Sequence, residues 1–144
     1  MAYKKIKPYK YTEKELRDIW SNEYCNQPLT TFDGIIVKFF SSMFDHCFYE
    51  SNNRKEKDKS ILSLNRLEKI FWIKDTLLDS TSIRKKGWDR NTKSYTDSSR
   101  VNLVKDNYIV VIKIYSKNKA RFITAYEVNN DENLNKIKNS PDWI

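Results

Sequence analysis

The chain has a single histidine, His46, and an imidazole is the side chain best suited to transferring protons near neutral pH, because its unperturbed pKa is about 6.5. Helical spacing places His46 at the edge of an apolar stripe, near the end of a predicted helix. A lone histidine in that position is either a satisfied structural residue or an acid-base group. A zinc site is disfavoured, because neither Cys47 nor Cys25 has metal-ligand spacing to His46.

A second set of polar side chains lies in a predicted β-hairpin over residues 107–128. With Lys117-Asn118 as a two-residue turn, the register follows by counting back along both strands. The expected pairs are Ile112 with Ile123, Lys113 with Phe122, and Val111 with Thr124.

Alternation along these strands predicts a hairpin with two unlike faces. One face should pack, and it comprises Tyr108, Val110, Ile112, Ile114, Ile123 and Ala125. The other face comprises Val111, Lys113, Tyr115, Phe122, Thr124 and Tyr126. A lysine, a threonine and two tyrosines supply positive charge and hydroxyl donors, so this second face is the candidate site for chemistry.

Arg66 is a further side chain that needs an explanation. It projects from a predicted helix between the azimuths of Ile73 and Leu77, and so falls inside the apolar arc. A guanidinium there must find a partner, face a cleft or snorkel around the edge of the core. The sequence leaves these readings open.

The formal net charge is +8 and the pI is about 9.4, which favours a polyanionic partner such as nucleic acid over a membrane surface. The positive residues fall into four clusters, namely Lys4, Lys5, Lys7 and Lys10; Arg54, Lys55, Lys57 and Lys59; Arg84, Lys85 and Lys86; and Lys117, Lys119 and Arg121. A lysine-rich composition that serves only solubility is the alternative. Because Gly34 and Gly87 are the only glycines, a glycine-rich phosphate loop is excluded.

The length of 144 residues predicts one domain with a substantial core. No apolar run reaches the length of about 18 residues that a transmembrane helix needs, and the first residues lack the apolar segment of a signal peptide. Two cysteines without disulfide or metal spacing favour reduced thiols. We therefore expect a soluble, cytoplasmic protein.

Helical signals dominate the first half of the chain and strand signals the second half. The predicted helices are Glu13 to about Tyr24, Thr31 to Cys47, Ser60 or Ser63 to about Leu78, and a terminal segment Glu132–Lys138. The predicted strands are Ile83–Trp88, Arg100–Val104 and the hairpin, with a tight turn at Lys105–Asn107 and loops at Ser51–Ser60 and Asp89–Ser99. This order predicts an α+β fold in which N-terminal helices pack on one face of a twisted antiparallel sheet.

Three segments, in this order, resemble a known family. Phe44–Ser51 resembles a His-Ala-Phe-Phe motif, and Ser63–Ile73 resembles the helix Ser-x-x-Arg-Ala-x-x-Ile-x-Trp-Ile. Residues 107–112 and 120–126 resemble a closing hairpin, Asn-Tyr-Val-Val-Val-Ile followed by Ala-x-Phe-x-Thr-Ala-Tyr. Over residues 44–126 the chain is similar to the phage-associated branch of the Barnase, EndoU, colicin and RelE-like (BECR) ribonucleases.

The resemblance implies a metal-independent endoribonuclease, a toxin or phage-encoded effector that cleaves tRNA or mRNA by attack of the 2′-hydroxyl on the phosphorus. It implies His46 as general acid or base, with Thr124 and Tyr126 donating hydrogen bonds to the phosphate and Tyr126 as the alternative proton donor. Arg66 matches the motif arginine and would either contact a phosphate or brace His46, and Lys113 is assigned by strand parity to stabilise charge. No cofactor or metal is expected. The predicted substrate-binding cations are Arg84, Lys85, Lys86 and Arg121.

Two features leave alternatives open. The chain has no second histidine, so the acid or base that would partner His46 is not identified, and Tyr126, a lysine with a lowered pKa or the substrate itself would have to serve. A non-catalytic RNA-binding module, or a phage structural or inhibitor protein on the same scaffold, fits the same basic surface. Besides RNA, a toxic ribonuclease would be expected to bind an acidic immunity or antitoxin protein.

Overall fold

The computed structural model of this chain describes residues 3–50, 61–89, 94–95 and 100–142. Its helices are α1 (Glu13–Trp20), α2 (Met43–Phe48), α3 (Leu64–Leu67), α4 (Trp72–Leu78) and α5 (Asp131–Lys138). Its strands are β1 (Leu29–Thr30), β2 (Ile36–Lys38), β3 (Tyr49–Glu50), β4 (Ile61–Leu62), β5 (Ile83–Lys86), β6 (Trp88–Asp89), β7 (Ser94–Tyr95), β8 (Arg100–Lys105), β9 (Tyr108–Ser116) and β10 (Lys119–Glu127). The predicted α+β class is confirmed. The predicted loop at Ser51–Ser60, and most of the one at Asp89–Ser99, lie outside the described residues.

Six strands form one open sheet in the order β1-β2-β10-β9-β8-β5. Neighbouring strands in it are antiparallel except β2 and β10, which run parallel with Lys38 beside Arg121. The prediction of a wholly antiparallel sheet is therefore wrong at this pair, because β2 lies in a segment that was predicted to be helical. Every helix in the described ranges is too short or too polar to span a bilayer.

The first helix forms as predicted. Thr12 caps α1 by accepting a hydrogen bond from the Glu15 backbone N–H at 3.1 Å, and the Glu15 carboxylate accepts one from the Thr12 N–H at 2.9 Å. This capping box satisfies N–H groups that the start of a helix leaves unpaired. The helical path continues as a π-turn over Ser21–Cys25, which carries the chain to the predicted end.

The helix predicted from Thr31 to Cys47 is wrong over most of its length, where β1, a tight turn and β2 lie instead. Ile35 and Val37 are buried and alternate with more exposed residues, which is the period of a strand and not of a helix. The Thr31 hydroxyl closes the turn by accepting from the Ile35 N–H at 3.0 Å. Gly34 adopts a φ of 89°, which is costly for residues with a Cβ. Only α2 remains of this predicted helix.

The third predicted helix is interrupted, because α3 ends at Leu67 and α4 begins at Trp72. The buried Tyr24 hydroxyl lies in this break. It donates to the Ile70 carbonyl at 2.5 Å and accepts from the Lys74 N–H at 3.0 Å. These two backbone groups would bond to each other in a continuous α-helix. The Tyr24 side chain therefore replaces one backbone hydrogen bond of the third predicted helix.

We expect Tyr24→Phe to lower the free energy of unfolding by about 1–3 kcal/mol, because two buried backbone groups lose their partner. Urea unfolding at equilibrium measures the change. Tyr9→Phe is the matched control, since Tyr9 is 70 % exposed and its variant should fall within about 0.5 kcal/mol of the wild type. Equal stability of the two variants would show that the Ile70–Lys74 helical bond re-forms and that the insertion contributes nothing.

The main apolar core lies between helices α1–α4 and one side of the sheet, here called the packed face. Its centre is Trp20, whose ring lies 4.8–5.6 Å from four other rings, those of Tyr24, Phe39, Phe48 and Phe122. The opposite side of the sheet, here called the outer face, carries a smaller cluster. That cluster comprises Val104, Ile109 and Val111, against which Ile137 of α5 packs.

The predicted hairpin turn at Lys117-Asn118 and the pairing of Val111 with Thr124 are confirmed. The other predicted pairs are wrong, namely Ile112 with Ile123 and Lys113 with Phe122. The observed pairs are Ile112 with Phe122 and Lys113 with Arg121. Two register shifts cause the difference. The shift between Lys119 and Ala120 leaves Tyr115 as an extra residue in β9 and moves the following pairs by one, and the shift between Phe122 and Thr124 leaves Ile123 as an extra residue in β10 and restores the predicted count. Phe122 consequently lies on the packed face, and Ile123 joins the cluster on the outer face.

The N-terminal segment Tyr3–Tyr11 is anchored although it has little regular structure. The Tyr3 hydroxyl donates to the Asp79 carboxylate at 2.8 Å. The Ile6 N–H donates to the Glu68 carbonyl at 2.9 Å. These contacts tie the segment to the C-terminal end of α3 and to the residue after α4.

The anchor at Asp79 should make stability depend on pH. The Thr81 hydroxyl and N–H, at 2.6 and 2.9 Å, and the Tyr3 hydroxyl hold the pKa of the Asp79 carboxyl well below its ordinary value. A depressed pKa adds stability above the unfolded-state value of about 3.9, and this is lost as the pH falls through the folded-state pKa. We therefore expect Asp79→Asn to be less stable than the wild type near neutral pH and to converge with it below about pH 4.

Urea unfolding across the acid range tests this pH dependence. Asp18→Asn serves as the control, because Asp18 is exposed and forms only a surface ion pair with Lys14. A stability difference for Asp79→Asn that stays constant with pH would contradict the role given to its carboxylate.

Candidate functional site

The outer face is covered at one end and open at the other. α5 covers the end that holds Val104 and Ile109, where Ile137 packs on them. Exposure then rises along β9 toward the hairpin turn, and Tyr115 is 51 % exposed. We call the part of the outer face that no described helix covers the open end, and its residues are Lys38, Arg100, Lys113, Arg121 and Thr124.

Four cationic side chains lie side by side across the open end. The register places Lys38 of β2 beside Arg121 of β10, Arg121 opposite Lys113 of β9, and Lys113 opposite Arg100 of β8. Directly paired residues share a face, so all four point to the same side of the sheet. With neighbouring strands about 4.8 Å apart, this cation row extends over roughly 14 Å.

Within the described ranges, none of the four side chains in the cation row forms an ion pair or a hydrogen bond with another residue. Lys38 and Arg121 are exposed, and Lys113 and Arg100 are half-buried. Like charges directly opposite each other destabilise a sheet. A row of this kind fits a polyanion, whose negative charges would relieve the repulsion.

Thr124 lies next to the cation row. It is opposite Val111, which is two residues, or about 7 Å, along β9 from Lys113. The Thr124 side chain is half-buried, and its hydroxyl makes no hydrogen bond to any residue that the structure describes. It can therefore donate to an anion that the row holds.

Arg66 and Tyr126 meet beside β10. The Arg66 guanidinium carbon lies 5.9 Å from the centre of the Tyr126 ring, and Nη1 donates to the Cys47 carbonyl at 3.0 Å. Burial raises the pKa of the Tyr126 phenol above its ordinary value, and the positive charge of Arg66 offsets part of the rise. The phenol therefore stays protonated near neutral pH and is available as a hydrogen-bond donor.

His46 is an exposed residue of α2, which packs against β10. The next residue, Cys47, is buried, and its Sγ donates to the Ala125 carbonyl at 3.7 Å. Ala125 lies between Thr124 and Tyr126 in β10. His46 is thus the sequence neighbour of a residue, Cys47, that contacts β10 between Thr124 and Tyr126.

Comparison with protein-family models, curated proteins and solved structures gives no match to this chain. The resemblance to the BECR ribonucleases therefore stays a prediction, and a function must be inferred from the site itself. Among the described residues, no group of three or more His, Cys, Asp or Glu side chains is arranged to hold a metal ion.

Three of the predicted substrate-binding cations lie on β5, three strands away from β10 in the sheet, and these are Arg84, Lys85 and Lys86. Arg84 forms an ion pair with Asp33 at 2.8 Å, and Lys85 forms one with Asp142 at 2.5 Å. The structure does not bring these residues into the cation row. The fourth predicted cation, Arg121, does belong to the row.

Two members of the cation row, Lys38 and Arg100, were not among the residues that the sequence indicated. Lys38 fell in a segment predicted to be helical, where no cross-strand partner could be assigned. Arg100 could have been found, because a two-residue turn within the predicted turn Lys105–Asn107 pairs it with Lys113, as the structure shows.

Proposed function

We propose that this protein is a metal-independent endoribonuclease that binds RNA at the open end. The main support is the cation row, which lies beside the Thr124 hydroxyl. Thr124 and Tyr126 belong to the same strand, β10. Phosphate charges would neutralise the row, and hydroxyl donors next to it suit the oxygens of a phosphodiester. Arg66 adds a positive charge beside Tyr126.

The proposed reaction needs one base and one acid. The base takes the proton of the 2′-hydroxyl, whose oxygen attacks the phosphorus, and the bond to the 5′ oxygen breaks. The acid gives a proton to that leaving oxygen, so the products are a 2′,3′-cyclic phosphate and a 5′-hydroxyl. We assign the base to His46 and the acid to Tyr126, because burial keeps the phenol protonated. Lys113 and Arg121 would stabilise the charge that builds on the phosphate oxygens.

The resemblance to the BECR ribonucleases supports the same proposal. In that family, N-terminal helices are followed by a sheet, and the active site lies on the exposed face of that sheet. The reaction requires the 2′-hydroxyl, so DNA would not be cleaved. A toxin of this class would act in the cytoplasm of the producer or of a target cell. An acidic immunity or antitoxin protein would neutralise it by covering the cation row.

Incubation of the purified protein with total RNA in EDTA tests the proposed function. We expect cleavage products with 2′,3′-cyclic phosphate ends, and no cleavage of DNA. Thr124→Val keeps the size and branching of the side chain but removes the hydroxyl, so it should cleave more slowly. Failure of the wild type to cleave RNA over a wide range of concentrations would overturn the proposal, and cleavage that EDTA abolishes would indicate metal chemistry instead.

A non-catalytic RNA-binding module is the second candidate. The observation that favours it is Tyr115, which lies two residues from Lys113 in β9 and is 51 % exposed. An exposed ring beside cations is sufficient to bind single-stranded RNA by stacking and charge. Salt-sensitive RNA binding without cleavage would select this candidate.

A further inference from the structure

The N-terminal segment Tyr3–Tyr11 takes no part in the site described above. Four lysines and two tyrosines in it are exposed, namely Lys4, Lys5, Lys7, Lys10, Tyr9 and Tyr11. The exposed fractions of Tyr9 and Tyr11 are 70 % and 40 %. Among the described residues, Lys5 is the one lysine of this set with a carboxylate partner, Glu68 at 3.7 Å. Cations and aromatic rings thus alternate along a surface with little opposite charge.

The backbone of this segment is fixed in place while these side chains face solvent. Pro8 is buried, and the Trp72 indole N–H donates to the Lys4 carbonyl at 3.2 Å. The Ile6 N–H bond to Glu68 and the Tyr3 contacts hold it at further points. A ligand would therefore meet a surface whose backbone is already ordered by folding, which lowers the entropy cost of binding.

The anchor of the segment is close to the proposed site. Glu68 follows α3, two residues after Arg66, and its carboxylate accepts from Lys69 Nζ at 3.0 Å. Lys69 Nζ also lies 3.8 Å from the carboxylate of Glu127, the neighbour of Tyr126 in β10. The segment is therefore tied to residues that neighbour Arg66 in sequence and Tyr126 in β10.

We propose that Tyr3–Tyr11 is a second RNA-binding element, which holds the part of a single strand that extends from the open end past Tyr126. Lys7 and Lys10 contact phosphates, and Tyr9 is a platform on which a base stacks. Such contacts are tolerant of sequence, because every base has a face that can stack. The inference rests on the proposal that RNA is the ligand, but it does not require that the protein cleaves RNA.

The probe is a fluorescein-labelled, fully 2′-O-methylated RNA strand, which lacks the attacking hydroxyl, in lengths of about 20 and about 5 nucleotides. For the long strand, Lys7→Gln/Lys10→Gln should lower the slope of log affinity against log salt by about 1.4, the value for two phosphate contacts. Tyr9→Ala should weaken binding at least about fivefold, whereas Tyr9→Phe keeps the ring and should bind as the wild type does. Binding of the short strand at the open end should not change.

The matched control for the charge change is Lys14→Gln/Lys74→Gln, which removes two positive charges from helices α1 and α4. If this control lowers affinity and salt slope as much as Lys7→Gln/Lys10→Gln does, net charge explains the effect and the inference is overturned. It is also overturned if the segment variants reduce binding to phosphatidylserine vesicles but leave RNA binding intact. Segment-dependent binding by a protein that cleaves nothing would support this inference and overturn only the proposed ribonuclease activity.

Discussion

Replacing the whole cation row with glutamine, at Lys38, Arg100, Lys113 and Arg121, is expected to weaken single-stranded RNA binding several-hundred-fold at about 0.1 M salt. Each phosphate contact to a single strand contributes about 0.7 to the slope of log affinity against log salt, so loss of four should lower the slope by about 2.8. Anisotropy titrations of 2′-O-methyl RNA at several salt concentrations give both quantities.

The same four substitutions should raise the free energy of unfolding, by about 1 kcal/mol, because three directly opposed pairs of like charges disappear from the sheet. Binding and stability should therefore change in opposite directions. This combination is typical of a functional surface, where repulsion in the free protein is relieved by the ligand and not by the fold.

The control replaces four lysines on helices with glutamine, at Lys14, Lys74, Lys136 and Lys138. It makes the same change in net charge, but three of these residues have carboxylate partners within ion-pair distance. We expect a smaller loss of affinity and no gain in stability. Equal losses of affinity in the two variants would contradict a specific role for the cation row.

His46→Ala is expected to lower the rate of RNA cleavage by a factor of about 10² to 10⁴, the usual contribution of a positioned acid or base. Its affinity for 2′-O-methyl RNA should remain that of the wild type, because the imidazole would act on a proton and not on the phosphate charge. The side chain is exposed, so the substitution should change stability by no more than about 0.5 kcal/mol.

Asp45→Ala is the control for an effect on α2 as a whole. Asp45 is the neighbour of His46 in that helix, is also exposed, and pairs with Arg17 at 2.5 Å. If Asp45→Ala lowers cleavage as much as His46→Ala, displacement of α2 explains both losses. If His46→Ala cleaves at the wild-type rate, the base is another group and the assignment to His46 is wrong.

The α+β class, the first helix with its capping box, the terminal helix and the hairpin turn were all predictable from sequence, because each depends on residues close together along the chain. The fold of the segment after Thr31 was not predictable from local sequence. Its aromatic and β-branched residues fit both a helical stripe and a strand, and its pairing with β10 is made by residues far away in sequence. Nonlocal pairing of this kind decides between two patterns that local propensity leaves nearly equal.

The candidate site was predictable only in part, for a related reason. Thr124 could be placed opposite Val111 by counting from the turn, but the register shift between Lys119 and Ala120 changed the partner of Lys113, and the bulge after Phe122 restored the count. No sequence rule places a bulge in a strand without a glycine or a proline to mark it. The cation row became visible only with the observed register, in which Arg121 replaces Phe122 opposite Lys113.

The parallel pairing of β2 with β10 also has a consequence for the time at which the cation row can form. It joins residues 36–38 to residues 119–121, so most of the chain must be synthesised before the two strands can meet. Pairings between distant residues form slowly, because the entropy of closing the loop opposes them until the contacts are made. A chain still emerging from the ribosome has Lys38 but not Arg121. Any RNA cleavage that depends on the cation row therefore begins only after the message has been translated through β10.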